Sequence, residues 1–498
     1  MFTKKNTGRF RVKSFLLVLI VLVLGFFILV NFEKAKDGVV TVSYDGQNFS
    51  PSKVVIKKDS EVIFKNLSGK DFWPASDFHP SNSAYPEFDP KKPIATGGEW
   101  KFKFDKVGSW GYHDHLSPFN KATIVVTQGI GIPKTPSNCK NLEKLNYSER
   151  ELCWYGKVKD EIKKGGINKA LSTFKNLYSE YPDFAQGCHD VMHLIGDEAY
   201  REYIKGNKFN FGEETSYCGY GFYHGFIEAM LYTTGDYTEV REFCESINTN
   251  FSGDIESPNA IYSCYHGIGH SAFEVHDPRV WGDEEKMVVP AIKACEKATT
   301  GLSEEKVKQC VTGVFNALGI AYSNNQYELT LNKKDPVWIC RKQKELYKKS
   351  CFSEVSIAFI YTNLGSFDYK FSEAASFIQN MNDIEGEKVS MFGLSSDYGR
   401  IKKDSFNNDE MIKNCRTVRK YLFESCMNGF EWALLGWGKP GEEYKSTISF
   451  CDSKMLNGQE KNNCYRYFLP LLKTIYSKEV NDSICTSLIS SDYKRYCN

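Results

Sequence analysis

The hydrophobic positions of this chain follow three different patterns in succession. An almost unbroken apolar run extends over residues 15–30. Over residues 37–127, short stretches of alternating apolar and polar residues are separated by Gly, Pro, Asn and Asp, which is typical of β-strands. Over residues 139–498, apolar residues recur at i, i+3 and i+4, which is typical of amphipathic helices. The pattern therefore predicts a membrane-sized segment, then a β domain, then an all-α domain.

The first apolar run predicts a single-pass membrane anchor. With Ser14, Asn31 and Phe32 included it is about long enough to span a bilayer. The basic flank is expected to stay cytoplasmic, which places the bulk of the chain outside the cell membrane. A cleaved signal peptide is the alternative, but no small-x-small cleavage site precedes Lys34. Residues 1–36 are thus assigned to a cytoplasmic tip and anchor, whose basic residues are Lys4, Lys5, Arg9, Arg11 and Lys13.

Five strands are predicted between residues 37 and 127, and their spacing indicates a small β-sandwich. They cover residues 39–42, 53–56, 61–64, 100–104 and 122–126.

One motif of this segment resembles a known family. The residues from Gly108 to Leu116 read Gly-Ser-Trp-Gly-Tyr-His-Asp-His-Leu, and a Val-rich strand follows from Ala122. This order is similar to the closing pattern of the cupredoxin superfamily, in which a Gly-x-Trp/Tyr-x-Tyr strand is followed by copper ligands and a last strand. Ser50-Pro51 before a strand and Asn66 at a strand end agree with it. The resemblance implies a cupredoxin-like sandwich.

The segment departs from blue-copper cupredoxins in its ligands. It contains no cysteine and no methionine, so it cannot provide the thiolate that gives blue copper its colour. His113 and His115 are also similar to the His-x-His pairs of multicopper oxidases, since alternate strand residues point the same way. We expect either a cysteine-free copper site of His79, His113 and His115, or a cupredoxin fold whose site has decayed.

Residues 128–138, rich in Gly and Pro, are predicted to be a linker. In residues 139–498 the phrase Cys-x-x-Gly recurs at the start of apolar helices. A glycine one turn into a helix costs about 1 kcal/mol relative to alanine, so its recurrence indicates close contact between helices. The glycines are Gly156, Gly221, Gly267, Gly313 and Gly429.

The 16 cysteines of the chain pair naturally with their sequence neighbours. Such pairs predict helical hairpins, each stapled by a disulfide in an oxidising compartment and stacked into a solenoid or a toroid. Free buried thiols with fewer bridges are the alternative. The predicted pairs are Cys139–Cys153, Cys188–Cys218, Cys244–Cys264, Cys295–Cys310, Cys340–Cys351, Cys415–Cys426, Cys451–Cys464 and Cys485–Cys497.

Three predicted helices carry histidines and acids four residues apart. Positions i, i+4 and i+8 fall on one face of a helix, and the flanking Tyr, Phe, Ile, Gly and Ala indicate burial. Buried imidazoles and carboxylates need partners, which favours a metal site over surface pairs. His276 lies outside this register and is not included. The candidate ligands or orienting residues are His189, His193, Asp197, His224, Glu228, His266, His270 and Glu274.

The metal and the function stay open at this point. Five imidazoles and three carboxylates suit a dinuclear centre, or one centre with orienting groups, holding Zn, Cu, Fe or Mn. The net charge of +1 gives no indication of nucleic acid binding. A metal-dependent oxidoreductase, a metallohydrolase, a non-catalytic copper-handling protein and an interaction scaffold all fit this pattern.

Overall fold

The computed structural model describes residues 40–497, so the predicted anchor lies outside the described residues. Among the residues it describes, no helix has both the length and the hydropathy to cross a bilayer. The predicted linker and His276 also lie outside. The gaps within the range are residues 78, 80, 81, 83, 128–138, 140–141, 143–144, 146, 182–183, 185–186, 208–212, 251–257, 275–277, 333, 365–369, 403–406, 439–440 and 477.

The β domain consists of two four-stranded sheets, in the orders β2-β1-β4-β6 and β3-β8-β7-β5. Two of the pairings, β1 with β4 and β3 with β8, are parallel, and the others are antiparallel. The strands are β1 Val40–Tyr44, β2 Phe49–Ser50, β3 Lys53–Lys57, β4 Ser60–Asn66, β5 Pro74–Ser76, β6 Glu99–Phe104, β7 Gly108–Asp114 and β8 Ser117–Thr127.

Alternation along the strands explains this sandwich. In β4, Val62 and Phe64 are fully buried while Glu61 is exposed. Phe64 packs against Phe88 and Tyr112, with ring centroids 5.2 and 5.4 Å apart. All five predicted strands are present, and β7 coincides with the Gly108 motif.

The remainder of the chain is helical. Its helices are α1 Tyr147–Glu180, α2 Cys188–Ile204, α3 Tyr217–Thr234, α4 Tyr237–Asn250, α5 Pro258–Glu274, α6 Glu284–Ala298, α7 Glu304–Ser323, α8 Trp338–Arg341, α9 Glu345–Leu364, α10 Phe371–Ile378, α11 Ile384–Lys402, α12 Asn408–Arg416, α13 Phe423–Gly436, α14 Glu443–Cys451, α15 Gly458–Ile475 and α16 Lys478–Ser487.

All eight predicted disulfides are confirmed. The bonded cysteines have Cα–Cα distances of 5.3–6.1 Å, as a disulfide requires. Because these bonds use all 16 cysteines of the chain, no thiol remains to bind a metal.

Glycines let the helices approach each other closely. A Cβ atom on Gly225 of α3 would lie 2.1 Å from the carbonyl oxygen of His193 on α2. A Cβ atom on Gly313 of α7 would lie 2.0 Å from the carbonyl oxygen of His266 on α5. Any side chain at either position would push the two backbones apart. These close contacts set the spacing of the helices that carry the histidines.

The inner helices pack in the order α2, α3, α5, α7, α9, α11, α13 and α15. Helix α15 also touches α5, and Tyr178 of α1 donates a hydrogen bond to the carbonyl oxygen of Gly438, which follows α13. Early and late helices therefore meet. An extended solenoid would keep them apart.

The β domain is docked on the helical domain. Trp73 belongs to the helical core and contacts Trp281 and Tyr327, each with ring centroids 5.4 Å apart. Arg201 of α2 donates a hydrogen bond of 3.1 Å to the carbonyl oxygen of Phe119. The contact brings the histidines of the β domain to the histidine-bearing helices.

Candidate metal centre

A bulge at the end of β7 presents the first pair of histidines. The register of β7 with β8 shifts between His113 and Asp114. The Asp114 carboxylate accepts hydrogen bonds from the backbone N–H of Trp73 at 3.0 Å and of Leu116 at 3.2 Å. These bonds fix the turn that carries His115. Asp114 therefore serves the loop rather than a metal.

His79, His113 and His115 form triad A. The Nδ1 atom of His79 lies 3.2 Å from Nε2 of His113. The His115 ring lies 4.6 Å from that of His79 between centroids. One nitrogen of each imidazole lies within 4.8 Å of one nitrogen of the other two. The triad is almost inaccessible, with His113 0% and His115 2% exposed.

His189 and His193 on α2 form triad B with His224 on α3. The two α2 residues are one turn apart, and their Nε2 atoms lie 3.1 Å from each other. The Nδ1 atom of His224 lies 3.3 Å from Nε2 of His189. The close approach at Gly225 brings the two helices near enough for this contact.

His224 also forms triad C with His266 and His270 on α5. The Nε2 atoms of His266 and His270 lie 3.1 Å apart. The His224 ring stacks on that of His266, with centroids 4.7 Å apart and planes 16° apart. The three triads thus contain eight of the nine histidines of the chain.

The nitrogen separations fit a metal ion. Imidazole nitrogens bind at about 2.0 Å, and tetrahedral angles then place two ligand nitrogens about 3.3 Å apart. The separations of His189 from His193, 3.1 Å, and from His224, 3.3 Å, match this spacing. The same holds for His79 with His113 and for His266 with His270.

Oxygen atoms hold the second nitrogen of several of these rings. Nδ1 of His189 is hydrogen-bonded to the carbonyl oxygen of Cys218 at 2.7 Å. Nε2 of His115 lies 3.2 Å from the hydroxyl of Tyr327, and its buried Nδ1 has no partner. Such contacts orient a ligating histidine and fix its tautomer.

Carboxylates lie near several of the other rings. Asp77 lies 3.7 Å from Nδ1 of His113. Glu228 sits between two triads, 3.5 Å from Nδ1 of His193 and 3.9 Å from Nδ1 of His270. These separations are longer than hydrogen bonds, and among the described residues the three Nδ1 atoms have no hydrogen-bond partner. The acids therefore lie beside the imidazoles without holding them, and the nitrogens that face one another are left to a metal.

Burial favours the neutral form of several of these imidazoles, which is the form that binds a metal. Burial lowers the pKa of His193, His224 and His266 well below the usual value, and neighbouring histidines lower it further. Burial also lowers the pKa of His270 to about 4, although the charge of Glu274 opposes the shift.

The buried acids shift the other way. Burial and the nearby charge of Glu274 raise the pKa of Glu228 well above its usual value. Burial raises the pKa of Glu274 to about 7, against the opposing effect of His270. Without a cation, the site is therefore a costly place for these carboxylates to ionise.

The two sites predicted separately from the sequence are in contact. Nε2 of His79, in the β domain, lies 2.9 Å from Oε2 of Glu274 at the end of α5. Tyr232 of α3 donates a hydrogen bond of 3.0 Å to the same oxygen. A cavity of about 40 Å³ lies between the domains, lined among others by His113 and His193.

Asp197 is placed differently from the other predicted residues. Its carboxylate pairs with Lys121 of β8 and lies 3.6 Å from Arg201. It lines the small cavity, but no histidine nitrogen is paired with it among the described residues. Its position four residues after His193 predicted a metal ligand. In the structure its carboxylate instead forms ion pairs with Lys121 and Arg201.

Three residues that contact the triads were not predicted from the sequence. Tyr232 continues the register of His224 and Glu228 by one more turn, so its spacing was a usable signal. Asp77 lies two residues before His79, but nothing in the sequence marks it. Tyr327 reaches His115 from the other domain, and no local pattern predicts such a contact.

One further group of close side chains is not a metal site. Glu431, Cys451 and Cys464 lie together. However, the two cysteines are bonded to each other and offer no thiolate.

No model of a known protein family matches this chain, and no curated protein matches it. Among solved structures it is similar to a purple cupredoxin from Nitrosopumilus maritimus, with 17% identity over 18% of this chain and 99% of that one, at a TM-score of 0.16. It is also similar to an oxidised variant of amicyanin, with 15% identity over 19% of this chain and 86% of that one, at a TM-score of 0.16. Similarities this weak support no conclusion about the site.

Proposed function

We propose that the protein is a membrane-anchored, extracytoplasmic copper protein that catalyses a redox reaction on a small molecule. The observation that carries the proposal is the contiguous set of three buried imidazole triads where the two domains meet. A repeat scaffold has no packing reason to gather eight histidines, five of them buried, against one another, because each buried polar ring needs a partner.

The ligand set favours copper. Imidazole suits Cu, Zn, Fe and Ni, and divalent copper has the highest affinity of the series for such a site. The cupredoxin-like motif around His113 and His115 points the same way. Because every cysteine is in a disulfide, a copper–thiolate centre is excluded. The copper would therefore be held by nitrogen alone.

Catalysis is favoured over storage by the number of ligands. Each triad supplies three imidazoles, and a four-coordinate metal with three protein ligands keeps a position open for substrate. The cavity of about 40 Å³ adjoins triads A and B. Such a volume holds on the order of one to three water-sized molecules, so the substrate would be a molecule of few atoms.

Copper would supply the change of oxidation state, and the residues around it have simpler tasks. Glu228 places a carboxyl group beside the rings of His193 and His270. Glu274, hydrogen-bonded to His79 and Tyr232, joins the domains. Glu228 lines the cavity and, with its raised pKa, is the carboxyl best placed to hold or give up a proton there. The bulk of both domains excludes water from the triads.

The location outside the cytoplasm rests on the basic, apolar N-terminal sequence and on the disulfides, which persist in oxidising compartments. Membrane fractionation with protease protection of intact cells tests it. We expect the helical domain to be accessible from outside and the chain to stay with the membrane.

Elemental analysis of the purified full chain tests the function. We expect bound copper, and a change in its absorption spectrum when azide is added, because an open position accepts the anion. His193→Ala, which removes a ligand of triad B, should lower the copper content, whereas Glu431→Gln, which changes a buried acid beside a disulfide, should leave it unchanged. Bound zinc with hydrolytic activity would favour a metallohydrolase. Bound copper that does not bind azide would favour a non-catalytic copper-handling protein. A chain without bound metal would favour an interaction scaffold.

A further inference from the structure

His224 is the one histidine that belongs to two triads. Its Nδ1 edge faces triad B, 3.3 Å from Nε2 of His189. Its ring also stacks on His266 and lies 5.6 Å from His270 between centroids. The residue is buried, with 5% exposure, so its surroundings are set by the protein rather than by solvent.

His224 lacks the oxygen contact that orients several of the other histidines. His189 has the Cys218 carbonyl, His115 has Tyr327, and His79 has Glu274. Among the described residues, no oxygen is hydrogen-bonded to His224, and its ring contacts are with other histidines. A ligating histidine ordinarily gives its second nitrogen to an oxygen. Among the residues described, no oxygen competes with a second metal for the second nitrogen of His224.

The chemistry of the ring decides how both triads can be filled. Each nitrogen of an imidazole has one lone pair and binds one metal at a time. With Nδ1 in triad B, a metal in triad C can use His224 only through Nε2. Binding at both edges removes the single N–H proton of the ring, which passes to solvent, and no electron moves.

We propose that His224 bridges two metal ions as an imidazolate, so that triads B and C form one dinuclear centre. The inference rests on the proposed function, because it requires that both triads hold metal. Glu228 supports it independently. Its two oxygens lie 3.5 Å from Nδ1 of His193 in triad B and 3.9 Å from Nδ1 of His270 in triad C, so one carboxylate lies between a ligand of each metal.

A bridging imidazolate couples the unpaired electrons of two Cu²⁺ ions. Such a pair contributes little or nothing to an electron paramagnetic resonance spectrum at low temperature, whereas isolated Cu²⁺ ions are fully visible. The comparison of total copper with visible spins therefore reports the bridge. It does not depend on any catalytic activity.

The experiment loads the full chain with Cu²⁺ alone and measures bound copper and spin concentration on the same sample. We expect two coppers per chain to be missing from the spin count. His189→Ala removes a ligand of triad B only, and His266→Ala removes one of triad C only. Each should bind one copper fewer and restore agreement between copper content and spins.

Several results would overturn the bridge. They are a wild-type spin count equal to the copper content, one copper shared by triads B and C, or a spin deficit that survives His266→Ala. The wild-type measurement needs no variant, so its outcome does not depend on whether the variants fold. A chain that binds no copper contradicts the proposed function itself, whereas fully visible bound copper contradicts only the bridge.

Discussion

The helices that carry histidines and those that follow them share one scaffold but present different inner faces. Both groups are stapled by disulfides and approach through glycine, as Gly225 does against His193 and Gly429 against Phe392. The inner faces of α2, α3 and α5 bring five imidazoles together. Those of α7, α9, α11 and α13 enclose a cavity of about 510 Å³, lined among others by Asn316 and Trp432.

One position shows how the two groups diverge. His224 and His270 stand six residues after their cysteines, and Asn316 occupies the same position in α7. Asn316 donates a hydrogen bond of 2.6 Å to Glu354 of α9, and its side chain also reaches His270. The scaffold therefore tolerates either chemistry. The histidines are an addition to the fold and not a requirement of it.

The largest effect is expected from Gly225→Ala. The new Cβ atom would lie 2.1 Å from a backbone oxygen that cannot move aside, so α2 and α3 must separate. We expect a loss of roughly 1–3 kcal/mol or more in the free energy of unfolding, together with loss of copper from triads B and C. Thermal unfolding and elemental analysis measure the two effects.

Gly429→Ala is its matched control. The Cβ atom there would lie 2.4 Å from the carbonyl oxygen of Phe392, on the histidine-free side. It should destabilise the fold comparably while copper is retained. If both variants lose copper to the same extent, copper binding does not depend specifically on the spacing of the histidine-bearing helices.

A smaller effect is expected from Glu228→Gln, which removes the charge between His193 and His270 but keeps the shape of the side chain. Loss of a carboxylate beside the ligands typically costs 10–100-fold in metal affinity, and we expect a decrease of that order in triads B and C. Competition with a copper chelator measures the decrease.

Glu274→Gln, which changes the carboxylate that faces His79, should instead weaken copper binding at triad A. Unchanged affinities would show that these two acids do not contribute to metal binding.

The smallest effect concerns Glu431 on the histidine-free side. Both of its carboxylate oxygens are buried without a hydrogen-bond partner, and burial, aided by the charge of Glu424, raises its pKa well above the usual value. A raised folded pKa means that stability is full below the unfolded pKa and is lost as pH rises towards the folded pKa.

Glu431→Gln should therefore gain stability over the wild type as pH rises above about 4.3, by at most about 1.4 kcal/mol per pH unit. Chemical denaturation at several pH values, with Glu373→Gln as a surface control, measures the difference. A gain that does not depend on pH would contradict the assignment of a buried neutral carboxyl.

Much of the architecture could be predicted from the sequence because it depends on interactions between residues that are close in the chain. Apolar alternation gave strands such as β4, and the short intervals between cysteines gave pairs such as Cys188–Cys218. The i, i+4 register of His189 with His193 and of His266 with His270 held because a helix fixes it. Contacts between domains have no such local signal. The contact of His79 with Glu274 and the ion pair of Asp197 with Lys121 are therefore seen only in the structure of the two docked domains.

X-ray absorption spectroscopy at the copper edge of the loaded full chain tests the central claim most directly, because it reports the ligand atoms themselves. The account predicts a first shell of nitrogen or oxygen at about 2.0 Å, with the outer-shell scattering of several imidazole rings and no sulfur. A sulfur shell near 2.3 Å, or copper without imidazole scattering, would contradict it.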